Sequence, residues 1–125
     1  MKINLKHVLT ANGAFSLVSG MALILIPGVI AEWMGVLVPR NLQFVGIGLV
    51  LFAGTVLHTA FKSPESKAKV RAIIVQDWAW VLGSIIVLAF QAWGLTNLGY
   101  WLIAGVAFIV ADFAYFQMRL LKRLN

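Results

Sequence analysis

The chain has 125 residues, of which 62 % are hydrophobic and only 11 % are charged, with a formal net charge of +6 at pH 7. A soluble domain is typically about 45–50 % apolar and about 25 % charged, so this composition excludes an ordinary soluble enzyme, a disordered segment and a solvent-exposed nucleic-acid-binding module. A mean hydropathy of +0.94 indicates an integral membrane protein, and the lack of cysteine excludes disulfides and thiolate metal sites in this chain.

Four apolar runs divide the chain, and each is long enough to cross a membrane as a helix, which takes about 20 apolar residues. Runs such as 47–51 and 85–90 do not alternate apolar and polar residues as barrel strands do. We therefore predict an all-α integral membrane protein. It forms a single transmembrane domain over residues 1–125, with helices at about 7–27, 41–61, 71–93 and 98–120.

The connections between these helices are short. Pro27 and Gly28 end the first helix, and residues 28–39 suit a segment that lies at the membrane interface. Residues 62–67 form a short polar loop, and residues 94–97 form a tight turn. Such short connections predict that successive helices pack as antiparallel neighbours in one four-helix bundle.

Basic residues fall almost entirely on one side of this arrangement. An even number of spans places both termini and the middle loop on the same side, and Arg40 is the only basic residue on the other side. Because cytoplasmic loops carry the excess of Lys and Arg, the sequence predicts a multi-pass inner (plasma) membrane protein whose N- and C-termini are cytoplasmic. The positive charge is thereby explained by orientation and by contact with the lipid bilayer, so no nucleic-acid partner is expected.

The first and third helices share a weak pattern. When they are aligned, Asn12 lies opposite Asp77 and Ser19 lies opposite Ser84, and the second and fourth helices both begin with Asn-Leu. A two-helix duplication related by an axis along the membrane normal would produce such matches. Since two apolar helices often share this many residue types, chance similarity is the alternative.

Polar residues within the spans are concentrated toward the predicted cytoplasmic side. A charged side chain at the centre of a membrane helix costs about 2.5–3.5 kcal/mol, so each one needs a partner or a function. Helical spacing can turn several of them toward the bundle interior. The predicted pocket, a candidate site for a ligand or an ion, consists of Asn12, His58, Asp77, Asp112 and Tyr115.

Structural roles are the alternative for these residues. Asp112 could pair with Arg119 two turns later and anchor its helix. Asp77 could hydrogen-bond to a neighbouring helix, and His58 could lie at the membrane interface. The two-carboxylate pocket requires both aspartates to face the interior.

Small residues on two helices predict close backbone packing, either within the chain or between copies. The second helix carries Gly46, Gly48, Ala53 and Gly54, and the fourth carries Ala104, Ala107, Ala111 and Ala114.

Motifs for catalysis and cofactor binding do not occur. There is no P-loop, HExxH, GxSxG or CxxC sequence, so no cofactor is expected. Two alternatives with few ligands are a haem held between His7 and His58, and a metal held by His58, Asp77 and Asp112.

The sequence favours a non-enzymatic function, namely binding or transport of a small ligand, a proton or a cation at the predicted pocket. A homo-oligomer is expected because one four-helix copy is small for a complete pathway. The alternative is an accessory subunit that packs against a larger membrane complex through its Gly and Ala faces. A third hypothesis is a membrane enzyme acting on a lipid or quinone, with Asp77, Asp112 and His58 as acid and base.

Overall fold

The computed structural model describes residues 4–63, 66–90 and 94–122, and these ranges contain helices and no strand. Along the chain the helices are α1 (Leu5–Leu25), α2 (Pro27–Met34), α3 (Pro39–Lys62), α4 (Lys67–Phe90) and α5 (Asn97–Lys122). By length and composition, α1, α3, α4 and α5 can each cross a membrane. The all-α class and the four candidate spans are thereby confirmed, and they indicate a multi-pass membrane protein.

Proline and glycine set the limits of the first two helices. α1 ends at Leu25, and Pro27 begins α2 at a first-turn position, where the missing proline N–H is tolerated. α2 occupies most of the predicted interfacial segment and ends at Gly35, whose φ of 80° is in the left-handed region that glycine adopts readily. The predicted end of the third span at residues 91–93 lies outside the described residues.

One end of the molecule is held by a buried apolar cluster. Its members come from the start of α1, the end of α3 and the start of α4: Leu5, Leu9, Val56, Ala60, Val70, Ile73 and Ile74. Leu120 and Leu121, near the end of α5, pack against this cluster. Four helix ends therefore meet here, and inside a bilayer such packing stabilises mainly through van der Waals contact.

The opposite end is held by α2 and the turn that precedes α5. The Thr96 N–H donates to the Met34 carbonyl at 2.9 Å, and the Thr96 hydroxyl donates to the Trp33 carbonyl at 2.6 Å. The same hydroxyl accepts the Gly99 N–H at 3.0 Å. A Cβ on Gly99 would lie 2.6 Å from the Met34 oxygen, so the close approach of α2 and α5 requires glycine here.

The closest helix pair is α1 with α3. Gly20 and Gly46 face each other, and a Cβ added to Gly46 would lie 2.7 Å from the Gly20 carbonyl oxygen. Further along, a Cβ on Gly13 would meet the Leu57 side chain. Small residues thus bring these two backbones into contact, whereas α3 and α4 contact each other much less.

Candidate functional site

Three buried polar side chains from three helices meet in the interior. The Asn12 amide of α1 donates to Oδ2 of Asp77 on α4 at 2.9 Å and to Oε1 of Gln117 on α5 at 3.0 Å. The Gln117 amide also donates to Oδ2 of Asp77, at 2.9 Å. We call these three residues the Asp77 cluster.

The Asp77 cluster is deeply buried: Asn12 and Gln117 are fully inaccessible, and Asp77 is 2 % exposed. Both amide donors converge on a single carboxylate oxygen, Oδ2. The other oxygen, Oδ1, receives no hydrogen bond from the described residues. The side-chain amide oxygen of Asn12, Oδ1, is also buried without a partner within the described part of the chain. The cluster therefore has unused acceptor capacity, which a native interior seldom leaves unpaired.

The five residues predicted for the pocket do not converge in one place. Asn12 and Asp77 are hydrogen-bonded to each other, as expected for polar groups within membrane spans, which need hydrogen-bond partners. His58, Asp112 and Tyr115 are exposed on the outside of the molecule.

Helix geometry explains why Asp112 is separate. The inward face of α5 carries Val110, Ala114 and Gln117, which are all buried. Each residue turns the helix by about 100°, so Asp112 lies roughly 200° from both Val110 and Ala114. Its side chain therefore points away from the cluster.

Arg119, the anticipated partner of Asp112, contacts Tyr115 instead. Nη1 of Arg119 lies 3.5 Å from the Tyr115 hydroxyl, and the guanidinium group lies 5.8 Å from the centre of the Tyr115 ring. Arg119 and Asp112, both described, form no ion pair, so the anchor is not assembled. The two-carboxylate pocket is not assembled either, because Asp112 is exposed and Asp77 is buried.

Gln117 is the member of the cluster that the predicted pocket left out. The sequence could have indicated its inward position, because on α5 it follows the small residues Ala107 and Ala114 at helical spacing. All three residues are buried on the same face. A glutamine that continues a small-residue face in a membrane helix therefore predicts an interhelical hydrogen bond.

A cavity of about 350 Å³ lies beside Asp77. Asp77 and Ser16 line its buried base, and both side chains are at least 96 % inaccessible. Apolar walls come from α1, α3 and α5: Phe15, Leu49, Phe52, Val106 and Val110. A largely apolar space with a few polar groups at one end is typical of small-molecule sites.

Two serines that line the cavity differ from the other helical hydroxyls. The side-chain hydroxyls of Ser16 and Ser19 make no hydrogen bond to any described residue. In contrast, the other serine and threonine hydroxyls within the membrane-spanning helices each donate to a backbone carbonyl four residues earlier: Thr10, Thr55, Thr59 and Ser84. The cavity therefore has hydroxyl groups that can both donate to and accept from a ligand.

The described residues contain no group of three His, Asp or Glu side chains placed to hold a metal ion. His7 and His58, the residues considered for haem, are both exposed. The chemistry that the site offers is therefore hydrogen bonding, with a carboxylate and hydroxyls at the base of an apolar cavity.

Comparisons with protein-family models, with curated proteins and with solved structures found no match to this chain. Function must therefore be argued from the site itself.

Proposed function

We propose that this is a non-enzymatic inner-membrane protein that binds a small ligand, a proton or a cation at the cavity beside Asp77, for binding or for transport. The observation that carries this proposal is a carboxylate at the buried base of a cavity within the spans. In the hydrocarbon region ionisable groups are costly, and they typically mark a pathway or a binding site.

The unused polar groups support a binding role over purely structural hydrogen bonding. A carboxylate that served only to link helices would be expected to use both of its oxygens. Here Oδ1 of Asp77 and the hydroxyls of Ser16 and Ser19 have no partner among the described residues. The volume of 350 Å³ also falls within the range of roughly 300–1,000 Å³ that small-molecule sites occupy.

The proposed setting is an antiparallel four-helix bundle in the plasma membrane, with both termini cytoplasmic. The distribution of Lys and Arg supports this orientation. We also propose the two-helix duplication, because four of the residue pairs aligned between α1 and α4 are buried in both helices. The aligned buried pairs are Leu5 with Val70, Val8 with Ile73, Leu9 with Ile74, and Asn12 with Asp77.

A fusion experiment tests the orientation. A fluorescent protein that matures only in the cytoplasm should be bright when it is fused to the C-terminus. A phosphatase that is active only outside the cytoplasm should be inactive at the same position. Moving the junction to residues 94–96 should reverse both signals, whereas an active phosphatase at the C-terminus would overturn the orientation.

Native mass spectrometry of protein extracted gently from its membrane tests the binding site. We expect the wild type to carry a bound small molecule or ion that is lost in Asp77→Asn, because this change removes the carboxylate while keeping an acceptor for Asn12 and Gln117. Asp112→Asn is the matched control, since it makes the same chemical change at an exposed position. Equal ligand occupancy in the wild type and both variants, or a bare protein throughout, would contradict the proposed site. A bound proton adds no resolvable mass, so proton uptake by proteoliposomes is measured with the same three proteins.

The alternative is an accessory subunit of a larger membrane complex. It is favoured by glycines on the outer surface, since a Cβ on Gly54, Gly83 or Gly105 would have no heavy atom within 4 Å. Such positions permit close approach by another helix. A larger partner that copurifies with the wild type, and that Gly54→Leu displaces, would support this alternative. The enzyme hypothesis gains no support, because His58 and Asp112 do not line the cavity.

A further inference from the structure

We infer that the ligand of this cavity is an amphiphile that enters sideways from the bilayer between α3 and α4, with a polar head that donates hydrogen bonds to Asp77 and Ser16. This inference rests on the proposed binding function and names the chemical class of its ligand.

The cavity has a buried base and an exposed rim. On the α3 side of the rim, Val45 is 42 % exposed and Gly48 is also exposed; on the α4 side, Trp80 is 36 % exposed and Gln76 is also exposed. At the base, by contrast, Ser16 is only 4 % exposed. The opening therefore lies between α3 and α4, which have the weakest contact of the spanning helices that touch each other.

The position of the opening along the membrane-spanning helices determines which molecules can reach the cavity. Gly48 and Gln76 lie within α3 and α4, more than two helical turns from either end of each helix. At the end where α3 and α4 connect, the buried cluster of Val56, Val70 and Ile73 separates the cavity from the adjacent interface. An opening this far from the helix ends faces hydrocarbon, so a molecule dissolved in the bilayer reaches it directly.

The walls specify an apolar body for the ligand. Phe15, Leu49, Phe52 and Val106 offer hydrocarbon surface to whatever occupies the cavity. A volume of 350 Å³ is about a dozen times the volume that one water molecule takes up in the liquid, far more than a proton or a bare cation needs. An apolar chain would fill this space and gain dispersion contacts that an empty cavity lacks.

The base specifies a head that donates hydrogen bonds. Oδ1 of Asp77 is an acceptor without a partner among the described residues, and the Ser16 hydroxyl can accept as well. A hydroxyl or a protonated amine on the ligand would satisfy both groups. A carboxylate or phosphate head would place like charge beside an ionised Asp77, and such a pairing is unfavourable.

Photolabelling in lipid nanodiscs tests this inference. The probes are diazirine derivatives of decanol, decylamine and decanoate, and labelled peptides are located by mass spectrometry. We expect the alcohol or the amine to label the α3 and α4 residues that line the cavity, and the carboxylate to label them much less. A preference for the amine over the alcohol would identify a cationic head, and the reverse would identify a neutral one.

A matched pair of glycine variants tests whether the labelled place is the cavity. Gly48→Leu projects a side chain from the rim, where a Cβ meets no other heavy atom within 4 Å, so the variant should fold. It should lower labelling at least about tenfold by filling the space. Gly54→Leu, on the same helix and equally open, should leave labelling unchanged. If Gly48→Leu lowers the helix content, Ser16→Ala is the second variant. Ser84→Ala is its control, because the Ser84 hydroxyl already bonds to the Trp80 carbonyl.

Three results would overturn the inference: equal labelling by all three probes, wild-type labelling of Gly48→Leu, and no labelling of the cavity by any decyl probe. If native mass spectrometry shows a small ion lost in Asp77→Asn while no decyl probe labels the cavity, the binding function stands and the amphiphile is wrong. If neither experiment detects an occupant of the cavity, both proposals fail.

Discussion

Gly46→Ala is expected to lower the free energy of unfolding by about 2–3 kcal/mol, since overpacking a tightly packed contact typically costs 1–3 kcal/mol. The added Cβ would lie 2.7 Å from the Gly20 carbonyl oxygen and 2.9 Å from the Leu23 Cβ. The nearest of these atoms belongs to the backbone, so a side-chain rotation cannot relieve the clash. α1 and α3 would have to separate along their shared interface. Equilibrium unfolding in mixed detergent micelles, followed by circular dichroism, measures the change.

Gly54→Ala is the control for this prediction. Gly54 is on the same helix, and a Cβ there meets no heavy atom within 4 Å. The free energy of unfolding should therefore not fall, and the higher helix propensity of Ala can raise it by up to about 1 kcal/mol. Gly20→Ala should behave like Gly46→Ala, because a Cβ there would lie 2.8 Å from the Gly46 oxygen. The double variant should cost less than the sum, since either substitution alone separates the helices. Equal stability of Gly46→Ala and Gly54→Ala would show that α1 and α3 do not pack through these glycines.

The number of spanning helices could be predicted because its determinants are local. Apolar runs fix the number of spans, and Pro27 and Pro39 mark the places where α2 and α3 begin. The left-handed turn at Gly35 is also a local property, because few residues other than glycine adopt that φ. The role of Gly46 could be predicted only in part. Its small size indicates close packing, but which helix approaches it depends on the tertiary structure.

The site was harder to predict for a reason specific to membranes. In a soluble helix, apolar periodicity identifies the inward face because the other face meets water. Lipid is as apolar as a protein core, so periodicity does not identify the inward face of a spanning helix. Asn12 and Asp77 were predictable because buried polar groups need partners. The rotation of α5, which brings Gln117 inward and leaves Asp112 exposed, depends on packing by small residues such as Ala114.

The cavity itself had only a weak signal in the sequence. Its volume depends on how far α3 and α4 separate beyond their connected ends, and no single residue sets that distance. The residues that line it are an ordinary mixture of Phe, Leu, Val and Ser. Only Ser16 and Ser19 gave an indication, since they share a helix face with Asn12.

Asp77→Leu is the second substitution with a large expected effect, a loss of about 2 kcal/mol in the free energy of unfolding. It removes the acceptor for two buried amide donors, one from Asn12 and one from Gln117. Each hydrogen bond between membrane helices contributes about 0.6–1.7 kcal/mol, and the remaining amides would stay buried with fewer partners. Asp112→Leu is the control and should change stability by no more than about 0.5 kcal/mol, because the described residues give Asp112 no partner.

A combined variant separates the structural role of the Asp77 cluster from its binding role. Replacing all its members together, in Asn12→Leu/Asp77→Leu/Gln117→Met, removes every donor and acceptor at once. Because no polar group of the cluster is then left unpaired, this variant should be more stable than Asp77→Leu alone. If the combined variant is as stable as the wild type yet binds no ligand, the cluster is there for binding, since an apolar interior would hold the helices as well. If the combined variant is the least stable of all, the three hydrogen bonds themselves hold α1, α4 and α5 together, and the case for a ligand then depends on the cavity alone.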